Sequence, residues 1–155
     1  MRRGATAVLK WFSALYVVAI FVQLFLAGEG VFRLANIKNS DDCDKAGAHC
    51  LADSKTMDPH RALGFFLTLP GALLFLIVAL IAWHPNKRIR VVSILAPILA
   101  FLQSVWAGIG GWAGGVHVVN AIFVLGSFSW LAVTLFRTNA DVTQAAPEPV
   151  TTPAV

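Results

Sequence analysis

The sequence predicts an all-α fold, a four-helix transmembrane bundle made of two parallel-repeat helical hairpins. Three observations predict it. Hydrophobic residues make up 57% of the 155 residues and charged residues only 13%, about half the roughly 25% typical of soluble domains; the mean hydropathy is +0.72. The apolar residues fall into four blocks of the roughly 20 residues needed to cross a bilayer core. A patterned segment of the first block recurs in the third. This composition excludes a soluble enzyme, a disordered chain and a nucleic-acid binder, despite a net charge of +4 and a pI near 9.5. So few charges would leave large apolar surfaces in water.

The first span covers about 11–32. Its apolar run is longer than the core of a cleaved signal peptide, so it is expected to be retained. A polar outer loop, 33–59, carries Cys43 and Cys50. The second span, about 60–83, opens behind Asp58-Pro59, an N-cap followed by a first-turn proline. A tight basic turn through Lys87, Arg88 and Arg90 leads to the third span, about 91–112. Gly114-Gly115 then turns the chain into the fourth span, about 116–136. The membrane domain therefore covers 1–137, and the Thr/Ala/Pro/Val-rich stretch 138–155 reads as a disordered cytoplasmic tail. Pro70 and Pro97 are expected to kink the second and third spans. Trp11, Trp83 and Trp112 mark interfaces, and His84 is expected at the inner one.

Lysine and arginine placement gives the direction. Arg2, Arg3, Lys10, Lys87, Arg88, Arg90 and Arg137 share one side. Arg33, Lys38, Lys45, Lys55 and Arg61 lie on the other, diluted by six acidic residues. Both termini are thus expected in the cytoplasm and the long loop outside. In that oxidising compartment a Cys43–Cys50 bridge would persist; from spacing alone, one bridge and two free thiols both stay open.

The repeat is the strongest internal signal. Phe21-Val-Gln-Leu-Phe-Leu-Ala-Gly-Glu-Gly-Val-Phe32 and Phe101-Leu-Gln-Ser-Val-Trp-Ala-Gly-Ile-Gly-Gly-Trp112 share Phe, Gln, Ala and two Gly in one register. Each copy is followed by a span with a histidine at its outer end, His60 and His117. Both hairpins run in the same direction, which makes them parallel repeats about an axis along the membrane normal. The two histidines become equivalent positions that could face each other across the bundle.

Ionisable residues within spans are functional candidates. Two neutral imidazoles from facing helices suit the axial positions of a haem iron, and bundle cores are where such sites are built. Gly64 and Ala121, four residues after each histidine and on the same face, are small enough to leave room for a macrocycle. Asn120 is placed to support His117 from behind. Arg61 and Arg33 suit the acidic propionates at the outer end. Gln23 and Gln103 read as interhelical hydrogen-bond residues, and the Ala-Gly-x-Gly elements as close-packing surfaces. Glu29 reads as a boundary carboxylate reaching water. His49, beside Cys50, lacks the further ligands a zinc site needs.

The pattern Gln-x-Phe-Leu-Ala-Gly-x-Gly-x-Phe, then Asp-Pro-His-Arg-x-Leu-Gly, then Val-His-x-x-Asn-Ala resembles a family of small four-span bacterial membrane proteins of unknown function, the domain-of-unknown-function family six-two-two-zero, over about residues 8–137. The architecture is also similar to one half of haem A synthase. That resemblance implies His60 and His117 as axial ligands, and a Cys43–Cys50 disulfide from the spacing Cys-x6-Cys. The departures are specific. Met57 stands where the synthase has a glutamate, the second haem-bearing half is missing, and the aromatics of its cysteine loop are replaced. Those absences argue against haem hydroxylation by this chain alone.

The expectation is a multi-pass protein of the bacterial inner membrane that binds one haem b through His60 and His117, for electron transfer or haem handling, with a membrane redox or assembly partner. The first alternative is a cofactor-free interaction or assembly subunit. The second is a pocket for a quinone or another lipophilic ligand, with His60, Arg61 and Glu29 at its mouth.

Overall fold

Long apolar runs leave the backbone little choice in a bilayer, because each N–H and C=O must find its partner within the segment. The computed structural model describes residues 2–38, 55–109 and 112–144, and they are helical apart from turns. α1 is Arg2–Lys38, α2 Asp58–Phe66, α3 Ala72–Ala82, α4 Lys87–Ile109 and α5 Ala113–Gln144. α2 and α3 form one span, joined by a π-helical segment, Leu67–Gly71. Four stretches are long and apolar enough to cross a membrane: Gly4–Asn36, Asp58–Ala82, Lys87–Ile109 and Ala113–Thr138. This is the architecture of a multi-pass membrane protein. Each span packs on its sequence neighbours, and α5 returns to pack on α1, closing a four-membered ring.

The ends of the spans have local causes. Pro59 occupies the first turn of α2, where its missing N–H costs nothing. α3 stops at Trp83, whose left-handed backbone (φ 37°) lets its N–H close on Ala79 O; Pro85 then blocks continuation. Asn86 starts α4 by accepting the Arg88 N–H on its Oδ1 at 2.9 Å, the bond an N-cap supplies.

At Pro70 the second span departs from α-helical geometry. Having no N–H, the proline cannot satisfy an earlier carbonyl, and the helix widens to a π turn around it. The Tyr16 hydroxyl donates to Leu67 O from the neighbouring span at 2.8 Å. A Cβ on Gly71 would stand 2.6 Å from that hydroxyl oxygen and 2.8 Å from Phe66 O, so the close approach requires glycine. Pro97, by contrast, is buried within an α-helical assignment that runs through it.

The core is aromatic in the middle and small toward α4. Tyr16 stacks on Phe128 (4.3 Å between centroids, 10° between planes), and Phe75 meets Phe128 edge-on at 4.9 Å. Ala79, Ala82, Ala96 and Ala100 are buried around them, letting the helices approach closely. Large apolar residues such as Phe25, Phe32, Ile122 and Phe123 are exposed on the outer surface, where a bilayer would cover them.

Two sequence expectations change. α5 continues to Gln144, seven residues into the segment expected as tail; 145–155 lie outside the described residues. His84, in the turn between the second and third spans, is buried against the protein, and its Nδ1 accepts the Asn86 N–H at 3.1 Å. Of the Ala-Gly-x-Gly glycines, Gly30 is closely approached by Thr56 O and the Met57 thioether, but Gly28 and Gly108 face open space. Gly110 lies outside the described residues.

Candidate functional site

The apolar spans of this bundle bring two histidines to one cavity. His60 stands in the first turn of α2 and His117 near the start of α5. Each is fixed by a glutamine of the preceding span. Gln103 Nε2 donates to His117 O at 2.8 Å, and His117 Nδ1 lies 3.0 Å from Gln103 O. Gln23 and His60 make the same two bonds, at 2.8 and 3.2 Å. A carbonyl oxygen can only accept, so Nδ1 carries the proton in both rings and Nε2 keeps its lone pair. The same logic orients both amides, since only their NH2 groups can meet a carbonyl.

The cavity has a volume of about 620 Å³ and lies among all four spans. His60, His117, Arg61, Gly64 and Ala121 line it, together with Gln23, Gln103, Tyr16, Thr68 and Ser104. Most of the remaining wall is apolar, and several lining residues (Leu24, Phe65, Val118, Ile122) are also exposed on the outer surface. The pocket therefore opens laterally between helices.

Hydrogen accounting shows what this wall offers a ligand. The Tyr16 hydroxyl is spent on Leu67 O. The Thr68 hydroxyl donates to Gly64 O at 2.8 Å and is in hydrogen-bond contact with Ser104 Oγ, so the serine proton goes to Thr68 Oγ1. Both histidine Nδ1–H groups are spent on glutamine carbonyls. What remains is mainly acceptor: His117 Nε2, His60 Nε2, which lies 3.5 Å from Gln23 Nε2, and Gln23 Oε1, which is buried without a partner. Such a lining suits a Lewis-acidic centre or a hydrogen-bond donor.

Asn120 does not line the cavity. It is buried behind Gln103 and donates to Gln103 Oε1 at 2.5 Å and to Leu99 O at 2.9 Å. It thus supports His117 through the glutamine. Leu63 stands at the repeat-related position, three residues after His60, so the first repeat supplies no amide there and Gln23 Oε1 has no such partner. Gly64 also acquires a second reason to be small, because a Cβ there would lie 2.8 Å from Gln23 Nε2.

At the same end, Arg61 is exposed, with Nη1 3.8 Å from Asp58 Oδ1. Arg33 is not among the residues that line the cavity. It is paired with Glu29 one turn earlier on α1, so Glu29 faces a cation as well as water. Cys43, His49 and Cys50 lie outside the described residues, and with them the expected disulfide. Among the described residues no group of three or more His, Cys, Asp or Glu is placed to hold a metal ion. Residue reasoning found the two histidines and both glutamines but did not join them. It also missed Tyr16, Thr68 and Ser104. The signal for the first was available, since each repeat carries one glutamine and one histidine.

The chain matches no family model, no curated protein and no solved structure.

Proposed function

We propose that this chain is a membrane haem protein in which His60 and His117 would hold one haem b. The observation that carries the reading is the matched pair of latches: both imidazoles have Nδ1–H held by a backbone carbonyl, and both line the same cavity. Fixing one ring nitrogen by a hydrogen bond to a carbonyl is how proteins present the other to a metal. The residues fit the group in other respects too. The volume lies within the roughly 300–1,000 Å³ of cofactor sites, Gly64 and Ala121 leave the wall low beside the histidines, and Arg61 supplies a cation at the mouth.

A haem so held supplies one-electron redox chemistry, and bis-imidazole ligation favours electron transfer over oxygen chemistry. The chain's own part is to bind and orient. Gln23 and Gln103 hold the rings, Asn120 holds Gln103, and the apolar wall keeps bulk water away. The excess of lysine and arginine near α1's start and the α3–α4 turn supports a cytoplasmic placement of that end. The haem site would then lie toward the outer face.

The test is a reduced-minus-oxidised spectrum of the full chain, purified in mild detergent after expression with haem supplied. A Soret and α-band that vanish in His60→Ala/His117→Ala support the reading. A colourless protein overturns it, and the latches would then serve only as helix–helix bonds.

A further inference from the structure

The end of the bundle opposite the histidines carries a feature of a different kind. Lys10 precedes Gln23 on α1 by about 20 Å, at the helical rise of roughly 1.5 Å per residue. Its Nζ lies 4.7 Å from the ring centroid of Phe136 on α5 and 5.5 Å from that of Trp11. The two rings meet edge-on at 5.0 Å. Both distances fall within the roughly 6 Å reach of a cation–π contact. Ring faces steady the charge, but the ammonium keeps three N–H donors for an acceptor. Arg137 follows Phe136 on α5 and is exposed. Beside them, Ala7, Val8, Trp11, Phe12 and Leu15 wall an open apolar groove of about 400 Å³ along α1.

The two ends of the bundle differ in charge. Glu29 and Asp58 are the only carboxylates in the four spans, and both stand at the histidine end, beside Arg33 and Arg61. At the Lys10 end the spans supply only cations: Lys10, Lys87, Arg88, Arg90 and Arg137. Arg90 likewise rests on a ring, with Cζ 4.8 Å from the Trp83 centroid. Asp141 comes one turn after Arg137 on α5, so Lys10 is the anchor and Arg137 the second cation.

We propose that this groove holds one anionic phospholipid, its phosphate on Lys10 and Arg137 and an acyl chain along Val8, Trp11 and Leu15. The inference is independent of the haem reading. Phosphate oxygens accept what the ammonium has left to donate, in charge-assisted bonds. Basic sites at the ends of membrane helices recognise acidic headgroups in this way. The three groove residues are exposed and apolar, which suits a chain lying in the bilayer. A zwitterionic phospholipid offers the same phosphate and chains but brings its own cation, which Lys10 and Arg137 repel. The site therefore selects for net negative charge.

The experiment is native mass spectrometry of the full chain released from micelles doped with equal amounts of phosphatidylglycerol and phosphatidylcholine. The wild type is expected to retain one phosphatidylglycerol in preference to phosphatidylcholine. Lys10→Gln should weaken that retention by about fivefold, the worth of one charge near a membrane surface, and Lys10→Arg should preserve it. Lys87→Gln removes the same charge at the same end, on a helix that does not form the groove, and should change nothing. Equal retention of the two lipids overturns the proposal. So does a loss in Lys87→Gln equal to that in Lys10→Gln, which would mean diffuse surface charge. Displacement of the lipid by inorganic phosphate also overturns it, because a free anion makes no use of the groove. Should Lys10→Gln fail to fold, Arg137→Gln set against Lys87→Gln makes the same comparison.

Discussion

Gln103 and His117 bond each other twice across the interface of α4 and α5, side chain to main chain in both directions. Gln23 and His60 do the same between α1 and α2. Each latch ties a hairpin together near its connecting segment and sets which imidazole nitrogen carries the proton. One pair of bonds therefore serves both packing and site chemistry.

Gln103→Leu should separate these roles. Interhelical hydrogen bonds in membranes contribute on the order of 1 kcal/mol, so detergent-phase melting should shift only slightly. Loss of a hydrogen-bonding support behind a ligand typically costs about 10–100-fold in metal affinity, and haem affinity should fall by that order. Equal haem affinity in the variant and the wild type would show that the latch does not orient the ring.

Glycines that are closely approached should respond unlike those that are not. Gly64→Ala places a methyl group against the Gln23 amide, and overpacking of this kind costs about 1–3 kcal/mol. Gly126→Ala meets nothing within 4 Å and should be neutral or stabilising by about 0.5–1 kcal/mol, the helix-interior difference between the two residues. Chemical unfolding in mixed micelles would rank them; the reverse order would contradict the geometry around Gln23.

Gly71→Ala should be more damaging than Tyr16→Phe. The substitution at Tyr16 removes one bond to Leu67 O, worth about 1 kcal/mol. The methyl group at Gly71 meets both the tyrosine hydroxyl and the backbone carbonyl of Phe66, and only the first is relieved in the double variant. A double-mutant cycle on thermal stability should therefore show partial rescue. Complete rescue would mean that Phe66 O does not constrain the site.

The fold was readable because its cause is one-dimensional. Four runs such as 91–112 are long and apolar, and only helices satisfy their backbones in lipid. The candidate residues were readable through the repeat, which singled out His60 with His117 and Gln23 with Gln103. Their hydrogen bonds were not, because which glutamine meets which histidine depends on how adjacent spans dock. Thr68 and Ser104 escaped notice for a related reason. The repeat sets Leu125 and Leu24 at their matching positions, so a search for shared polar residues passes over them. Arg33 was placed at the cavity by its position at the outer end, but it does not line the cavity and pairs with Glu29 on its own helix.

His84 gives a dependence on pH. Burial pushes its pKa down from the usual value near 6.5. The unfolded chain therefore binds the proton more readily than the folded one. The neutral ring's contribution is fully present above about pH 6.5 and is lost as the pH falls through the lower folded value. Melting temperature should drop between pH 7 and 5, and His84→Gln should flatten that slope. An unchanged slope would place the titration elsewhere.

The central claim is that His60 and His117 turn their Nε2 atoms toward one cofactor. The most direct measurement is a haemin titration of the purified full chain, followed by absorbance, beside His60→Ala/His117→Ala. The account predicts saturation at one haem per chain with a low-spin spectrum in the wild type, and no saturable binding in the double variant. Saturable binding of the same stoichiometry and spectrum in both would contradict it.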